Sequence, residues 1–187
     1  ALWLLGAGLL FPSFLLSQLG LGFPWPAVLR SCLKSFVPQC LNNVTACLIP
    51  MEIVFLGTSS MVPTKERNQS SVFISYGSEG ILVDCGEGTQ RQLKIAGIPL
   101  PKVTKVLISH WHGDHVLGLP GLIQTLGSSA TGHRLQVFGP KGTKAQFDHM
   151  KKAFFMETEG KGLTLEVTDV EKGVFFENKE FYLEADK

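Results

Sequence analysis

The feature that most limits what this chain can fold into is a change of character at residue 109. Residues Val103 to Ile108 are apolar and β-branched, the pattern of a buried strand. They run directly into Ser109-His110-Trp111-His112-Gly113-Asp114-His115, in which four of seven residues are metal-binding types. The stretch after it, Val116 to Gly121, reads as a turn leading into a helix. A polar cluster is thus placed where a strand ends and a loop begins, which is where rigid scaffolds carry their chemistry. Three histidines and an aspartate within six residues, behind a buried strand, are poorly explained as an ordinary polar surface loop.

The spacing has a chemical reading. Imidazole nitrogen and carboxylate oxygen both suit Zn²⁺, at roughly 2.0–2.2 Å. His110 and His112, two apart on an extended segment, can grip one ion. Asp114 and His115, past the bend, can face a second, and Gly113 is expected to ease that bend. Two ions about 3.5–4 Å apart can clamp both oxygens of an in-line phosphoryl displacement.

His110-x-His112-x-Asp114-His115 resembles the signature of the metallo-β-lactamase fold, which lactamases, glyoxalases, sulfatases and nucleases share. Two other stretches narrow the resemblance. Residues 51–60, from Met51 to Ser60, resemble the opening strand of ribonuclease Z, the endonuclease that processes transfer-RNA 3′ ends. The run Asp84-Cys85-Gly86-Glu87-Gly88-Thr89-Gln90 is similar to that family's and is far more specific. The likeness extends from Met51 to the last residue.

The resemblance implies an α/β (α+β) chain, the amino-terminal half of an αββα metallo-β-lactamase sandwich with a mixed sheet. It implies a zinc-dependent endoribonuclease that removes the 3′ trailer of precursor transfer RNA, with two Zn²⁺ per complete site. His110, His112, Asp114 and His115 would be ligands, and Asp114 would also take a proton from the attacking water. Asp84 would support the metal loop by orienting a histidine. Lys65 and Arg67 would hold RNA phosphates, and Asn68 would orient their loop or a base. A homodimer is also implied. The family's remaining ligands lie further along its pattern, so the chain reads as a truncated, inactive fragment that binds zinc weakly. The alternatives are another hydrolase of this fold, or a non-catalytic, membrane-associated half-domain.

The charge distribution divides the chain. Arg30 and Lys34 are the only charged residues before Met51, so the remainder is near neutral and shows no overall basic excess for a nucleic acid. Any basic surface must be local, with Lys141, Lys144, Lys151, Lys152 and Lys161 as candidates. Residues 1–29 carry no charge and are long enough to span a membrane, yet Pro12, Pro24 and Pro26 interrupt them. Residues 1–50 are expected to be a leader, either upstream sequence translated in error or a signal or anchor. A membrane partner follows only if residues 1–29 are genuine. Cys32, Cys40, Cys47 and the sequon at Asn43 lie there and would suit export. Without that leader the domain of residues 51–187 has Cys85 alone, which fits a cytoplasmic protein.

Periodicity predicts strands at Ile53–Leu56, Ser71–Tyr76, Ile81–Asp84, Val103–Ile108, Leu135–Phe138, Leu163–Val167, Gly173–Phe176 and Phe181–Leu183. It predicts helices at Thr89–Ala96, stopped by Gly97, at Leu119–Leu126, ended near Gly127, and within Lys141–Phe155. A hairpin turn is expected over Gly77–Gly80 and a break at Gly139-Pro140. This half of a sandwich should leave one sheet face partly open, inviting self-association. His133 and His149 are expected to be ordinary histidines, and Cys85 a small buried residue.

Overall fold

The structure, a computed structural model, describes residues 50–129, 132–156 and 162–186. The leader calls on residues 1–49, with Cys32, Cys40, Cys47 and Asn43, and the call on Lys161 lie outside the described residues. Among the described residues no helix is long and apolar enough to cross a membrane.

Six strands form one mixed sheet in chain order: β1 (Met51–Gly57), β2 (Ser71–Tyr76), β3 (Glu79–Val83), β4 (Lys105–Leu107), β5 (His133–Pro140) and β6 (Leu163–Val170). β1, β2 and β3 pair antiparallel, whereas β3 to β6 run parallel. The parallel connections carry the helices α1 (Thr89–Ile95), α2 (the single turn Gly113–Val116), α3 (Leu119–Ser129) and α4 (Thr143–Ala153). A separate hairpin follows, β7 (Gly173–Glu177) with β8 (Tyr182–Ala185).

Strand alternation sorts the core into two layers. Phe73, Leu82, Val106 and Val137 are register partners in one row across the sheet. They pack with Leu93 of α1, Leu122, Ile123 and Leu126 of α3, and Phe147 of α4. The opposite row, Val72, Val83, Leu107 and Phe138, packs under Phe181 and Leu183 of the hairpin segment. The face expected to lie open is therefore covered over its centre by β7 and β8. Apolar exposure remains on edge strand β1, at Met51, Ile53 and Phe55.

Several boundaries differ from those predicted. α3 continues through Gly127 to Ser129, because packing of Leu122 and Leu126 outweighs the roughly 1 kcal/mol cost of one helical glycine. β5 runs through Gly139 and Pro140, which stay paired with Asp169 and Val170 on β6. The β2–β3 turn is only Gly77-Ser78, and Asp84 lies just past its strand.

Lys105 is an exception to the apolar rows: it is 3% exposed in the central strand. Its ammonium meets Glu79 at 2.5 Å and sits 4.2 Å from the centroid of the Phe176 ring. Burial pushes the Glu79 carboxyl up, but Lys105 and the Thr104 hydroxyl outweigh it and hold the pKa below the ordinary glutamate value. A depressed folded pKa stabilises the protein above the unfolded value, about 4.3, and that stabilisation is lost as pH falls through the folded value. Glu79→Gln is expected to weaken the acid-dependent loss of stability in this range. Urea unfolding at a series of pH values measures it; identical acid limbs for both proteins would refute the assignment.

Candidate metal centre

The parallel strands end on one side of the sheet, and the predicted residues gather there. Asp84 follows β3, Ser109 to His115 follow β4, and Gly139 to Thr143 close β5. Asp84 adopts φ 58°, a left-handed conformation that aspartate tolerates better than most residues. This turns the chain out of the strand: the Asp84 amide donates to Leu107 O at 2.8 Å and the Cys85 amide to His115 O at 2.8 Å. At Gly86 an added Cβ would lie 2.5 Å from the Asp114 carbonyl, so the two loops touch backbone to backbone. Gly113 is different. Its φ is not left-handed and a Cβ there would meet only the movable Leu117 side chain, at 3.2 Å, so the bend does not need a glycine.

Asp84 braces the histidine loop. Its Oδ1 accepts the Ser109 amide at 2.8 Å, and its Oδ2 accepts the Ser109 hydroxyl at 2.8 Å and His115 Nδ1 at 2.7 Å. It does not cap a helix, since α1 starts from Gly88. The Ser109 hydroxyl hydrogen goes to Asp84, so its oxygen is free to accept His110 Nδ1–H at 3.0 Å. The network thereby fixes both tautomers: His110 and His115 each keep a proton on Nδ1 and present the Nε2 lone pair.

Those lone pairs face the other two expected ligands. His110 Nε2 is 3.1 Å from His112 Nδ1, and His115 Nε2 is 3.4 Å from Asp114 Oδ2. Two donors at roughly 2.0–2.1 Å from one tetrahedral ion stand about 3.3–3.4 Å apart, so each pair has the separation that sharing an ion demands. Two further observations fit a cation. Asp114 Oδ1 is buried without any hydrogen-bond partner, an arrangement that is costly unless something positive completes it. Burial, then the neighbouring His115 and His112, push the His110 pKa below its ordinary value despite Asp84 and Asp114, which keeps its lone pair available. His115 is held above its ordinary value, chiefly by its hydrogen bond to Asp84. Among the described residues no three His, Cys, Asp or Glu side chains converge on one ion position. The residues form two pairs, each short of the three protein donors usual for catalytic zinc.

The surroundings sort the remaining candidates. Asn68 Nδ2 donates to Glu87 O at 2.5 Å, so Asn68 holds its loop against the Glu87-Gly88 turn. Buried Gln69 reinforces the junction, accepting the Glu87 amide and donating to Met61 O, both at 2.9 Å. The sequence reading missed Gln69. Lys65 and Arg67 are exposed on this loop. Cys85 is fully buried, and its thiol is pushed up to about 12 by burial, so it is neither a ligand nor a nucleophile. His133 is bonded to Val103 O at 2.9 Å at the opposite end of β5, and His149 lies on α4, away from the cluster by sequence position. A cavity of about 630 Å³ adjoins Ser109 and is bordered by Lys141 and Lys172.

Comparison with known proteins places the chain in a family. Residues 51–178 match the family model described as Anti-Pycsar protein Apyc1. The chain belongs to that family. It is also similar to ribonuclease Z, of the metallo-β-lactamase fold. It is 52% identical over 92 residues to a ribonuclease Z of Methanothermobacter thermautotrophicus, covering 49% of this chain and 30% of that protein. Its identity to a ribonuclease Z of Picosynechococcus sp. is 44% over 133 residues, covering 70% of this chain and 41% of the relative. The crystal structure of human tRNase Z, short form, superposes with a TM-score of 0.57 at 32% identity, over 63% of this chain and 44% of that one. The chain thus spans less than half the length of the curated relatives it matches here.

Proposed function

We propose that this chain carries part of the centre of a zinc-dependent endoribonuclease that removes the 3′ trailer from precursor transfer RNA. The observation that carries the reading is the Asp84–Ser109 network, which orients His110 and His115, one donor of each close pair on the same loop. Zinc at these pairs would lower the pKa of water toward about 7 and polarise a phosphoryl oxygen. The chain's own residues do the rest. His110 with His112 and Asp114 with His115 supply the donors, Asp84 fixes the histidine tautomers, and Asp114 takes the proton of the attacking water. The transfer-RNA substrate rests on the ribonuclease Z and tRNase Z likeness.

Lys65 and Arg67 extend from the loop that Asn68 and Gln69 pin beside the centre, and they suit phosphate recognition. Arg67→Ala is expected to weaken transfer-RNA binding several-fold and to reduce the salt slope by about one phosphate contact. Filter binding at several salt concentrations checks it; an unchanged slope would remove Arg67 from the interface. The family implies a homodimer and a cytoplasmic setting, and both belong to this proposal.

A second reading within the fold is a hydrolase of another phosphodiester. The full-length gene product, assayed on trailer-bearing transfer RNA and on a small generic phosphodiester, separates the two. Cleavage at the trailer junction supports the endoribonuclease; turnover of the small diester alone supports the other.

A further inference from the structure

Trp111 stands between His110 and His112, and its position is fixed from outside the loop. Its indole Nε1–H donates to Thr143 Oγ1 at 2.9 Å. Thr143 is completely buried at the start of α4, and its hydroxyl donates in turn to Pro140 O at 2.7 Å. The single hydroxyl thus uses its hydrogen on Pro140 and a lone pair on Trp111, and each polar group is satisfied. Room for it is made in the sheet. At Gly139 an added Cβ would lie 2.5 Å from Thr143 Oγ1 and 3.2 Å from Ile108 Cβ, so any larger residue would push Thr143 away from the strand ends. The α4 start is itself anchored, because the Asp169 carboxylate accepts the Gly142 amide at 3.1 Å and the Lys144 amide at 2.8 Å.

We infer that Thr143 is a positioning residue for the metal pair His110 and His112, acting through Trp111; the metal part of this inference rests on the function proposed above. Asp84 and Ser109 hold the loop at Ser109, His110 and His115, but none of these bonds reaches His112. Trp111 is the adjacent residue and Thr143 its hydrogen-bond acceptor. With that bond made, the segment between the two histidines keeps one course, and His110 Nε2 and His112 Nδ1 stay at the separation one ion requires. Groups that orient metal ligands typically change affinity about 10–100-fold when removed.

The test uses the full 187-residue chain. Thr143→Val keeps the shape and removes the hydroxyl, Thr143→Ser restores a hydroxyl, and Trp111→Phe removes the donor from the other side. Two readouts are taken: hydrogen exchange of the His115 backbone amide, which donates to His112 O at 3.0 Å, without metal, and zinc affinity by chelator competition. Thr143→Val and Trp111→Phe are each expected to speed exchange at this amide about tenfold, the effect of one hydrogen bond, and to weaken zinc by at least as much. The double variant should add little, and Thr143→Ser should recover most of both. β2 and β3 amides, unchanged throughout, serve as the folding control. Should Thr143→Val misfold, Trp111→Phe carries the test alone. A native exchange rate at the His115 amide in a folded variant would overturn the inference, as would a zinc affinity equal to that of the native chain. A native chain that binds no zinc would overturn the metal reading instead, while the exchange data still decide whether Thr143 orders the loop.

Discussion

Asp114→Ala is expected to abolish trailer cleavage by the full-length gene product, a loss of at least about 10⁴-fold, since it removes a general base and a metal donor together. Transfer-RNA binding should survive, because phosphate contacts supply most of the affinity. The same substitution should not harm the fold. Asp114 is 5% exposed and its Oδ1 has no hydrogen-bond partner, so the metal-free chain bears an uncompensated buried carboxylate oxygen. Removing it is expected to leave stability equal or raise it by up to about 2 kcal/mol. A residue that costs stability while serving chemistry is the usual sign of a functional site. Cleavage kinetics, filter binding and urea unfolding on one variant separate these effects. Residual turnover near the native rate would remove Asp114 from the chemistry, and a clear loss of stability would show that its carboxylate is structural.

Asp84→Ala is expected to fail in the opposite way, losing both zinc and stability. Three donors depend on this carboxylate: the Ser109 amide, the Ser109 hydroxyl and His115 Nδ1. Without it the His115 tautomer is no longer fixed, and the Ser109 hydroxyl that orients His110 loses its acceptor. Zinc affinity should fall about 10–100-fold at each pair. Stability should fall by about 3 kcal/mol, because partners of a buried carboxylate are left unpaired and alanine is strained at φ 58°. Asp84→Asn keeps the shape and tolerates the left-handed backbone, so it should retain more stability than Asp84→Ala while still losing zinc. Chelator competition and urea unfolding read the two quantities. Equal zinc affinity in both variants and the native chain would show that Asp84 merely ends a strand.

The sheet was legible where alternation and turn residues agree. Ser71 to Tyr76 reads as a strand from its β-branched and aromatic residues, and the structure places the strand at those residues. Gly97 was a correct helix stop because its φ of 71° requires a residue that tolerates the left-handed region. Gly127 and Gly139 were misread because the same residue can serve a different purpose. Gly127 is carried inside α3 by its packed neighbours, and Gly139 makes room for Thr143 rather than ending a strand. The covering of the sheet face by β7 and β8 was missed because short strands near the carboxyl end reveal nothing about which layer they join.

The site was legible where its residues are adjacent in sequence. Spacing alone paired His110 with His112 and Asp114 with His115; the structure sets His110 Nε2 3.1 Å from His112 Nδ1 and His115 Nε2 3.4 Å from Asp114 Oδ2, and also brings the His110 and His115 ring centroids within 4.1 Å of each other. Asp84, 25 residues before Ser109, was assigned through the family resemblance, and its hydrogen bonds give that assignment a physical basis. Ser109, Gln69 and Thr143 went unremarked. A serine beside a histidine is common, and the partner of Trp111 lies 32 residues away on another element. Asn68 had two open readings, a loop brace or a base contact, and its bond to Glu87 favours the first.

The central claim is that the two close pairs are metal donors rather than a hydrogen-bonded histidine cluster. Its most direct test is a zinc titration of the 187-residue chain against a chelator, with His112→Ala and His115→Ala alongside. Two protein donors per ion predict weak binding, lowered by each variant separately as each pair is broken. Zinc binding that is the same in the native chain and both variants would contradict the claim.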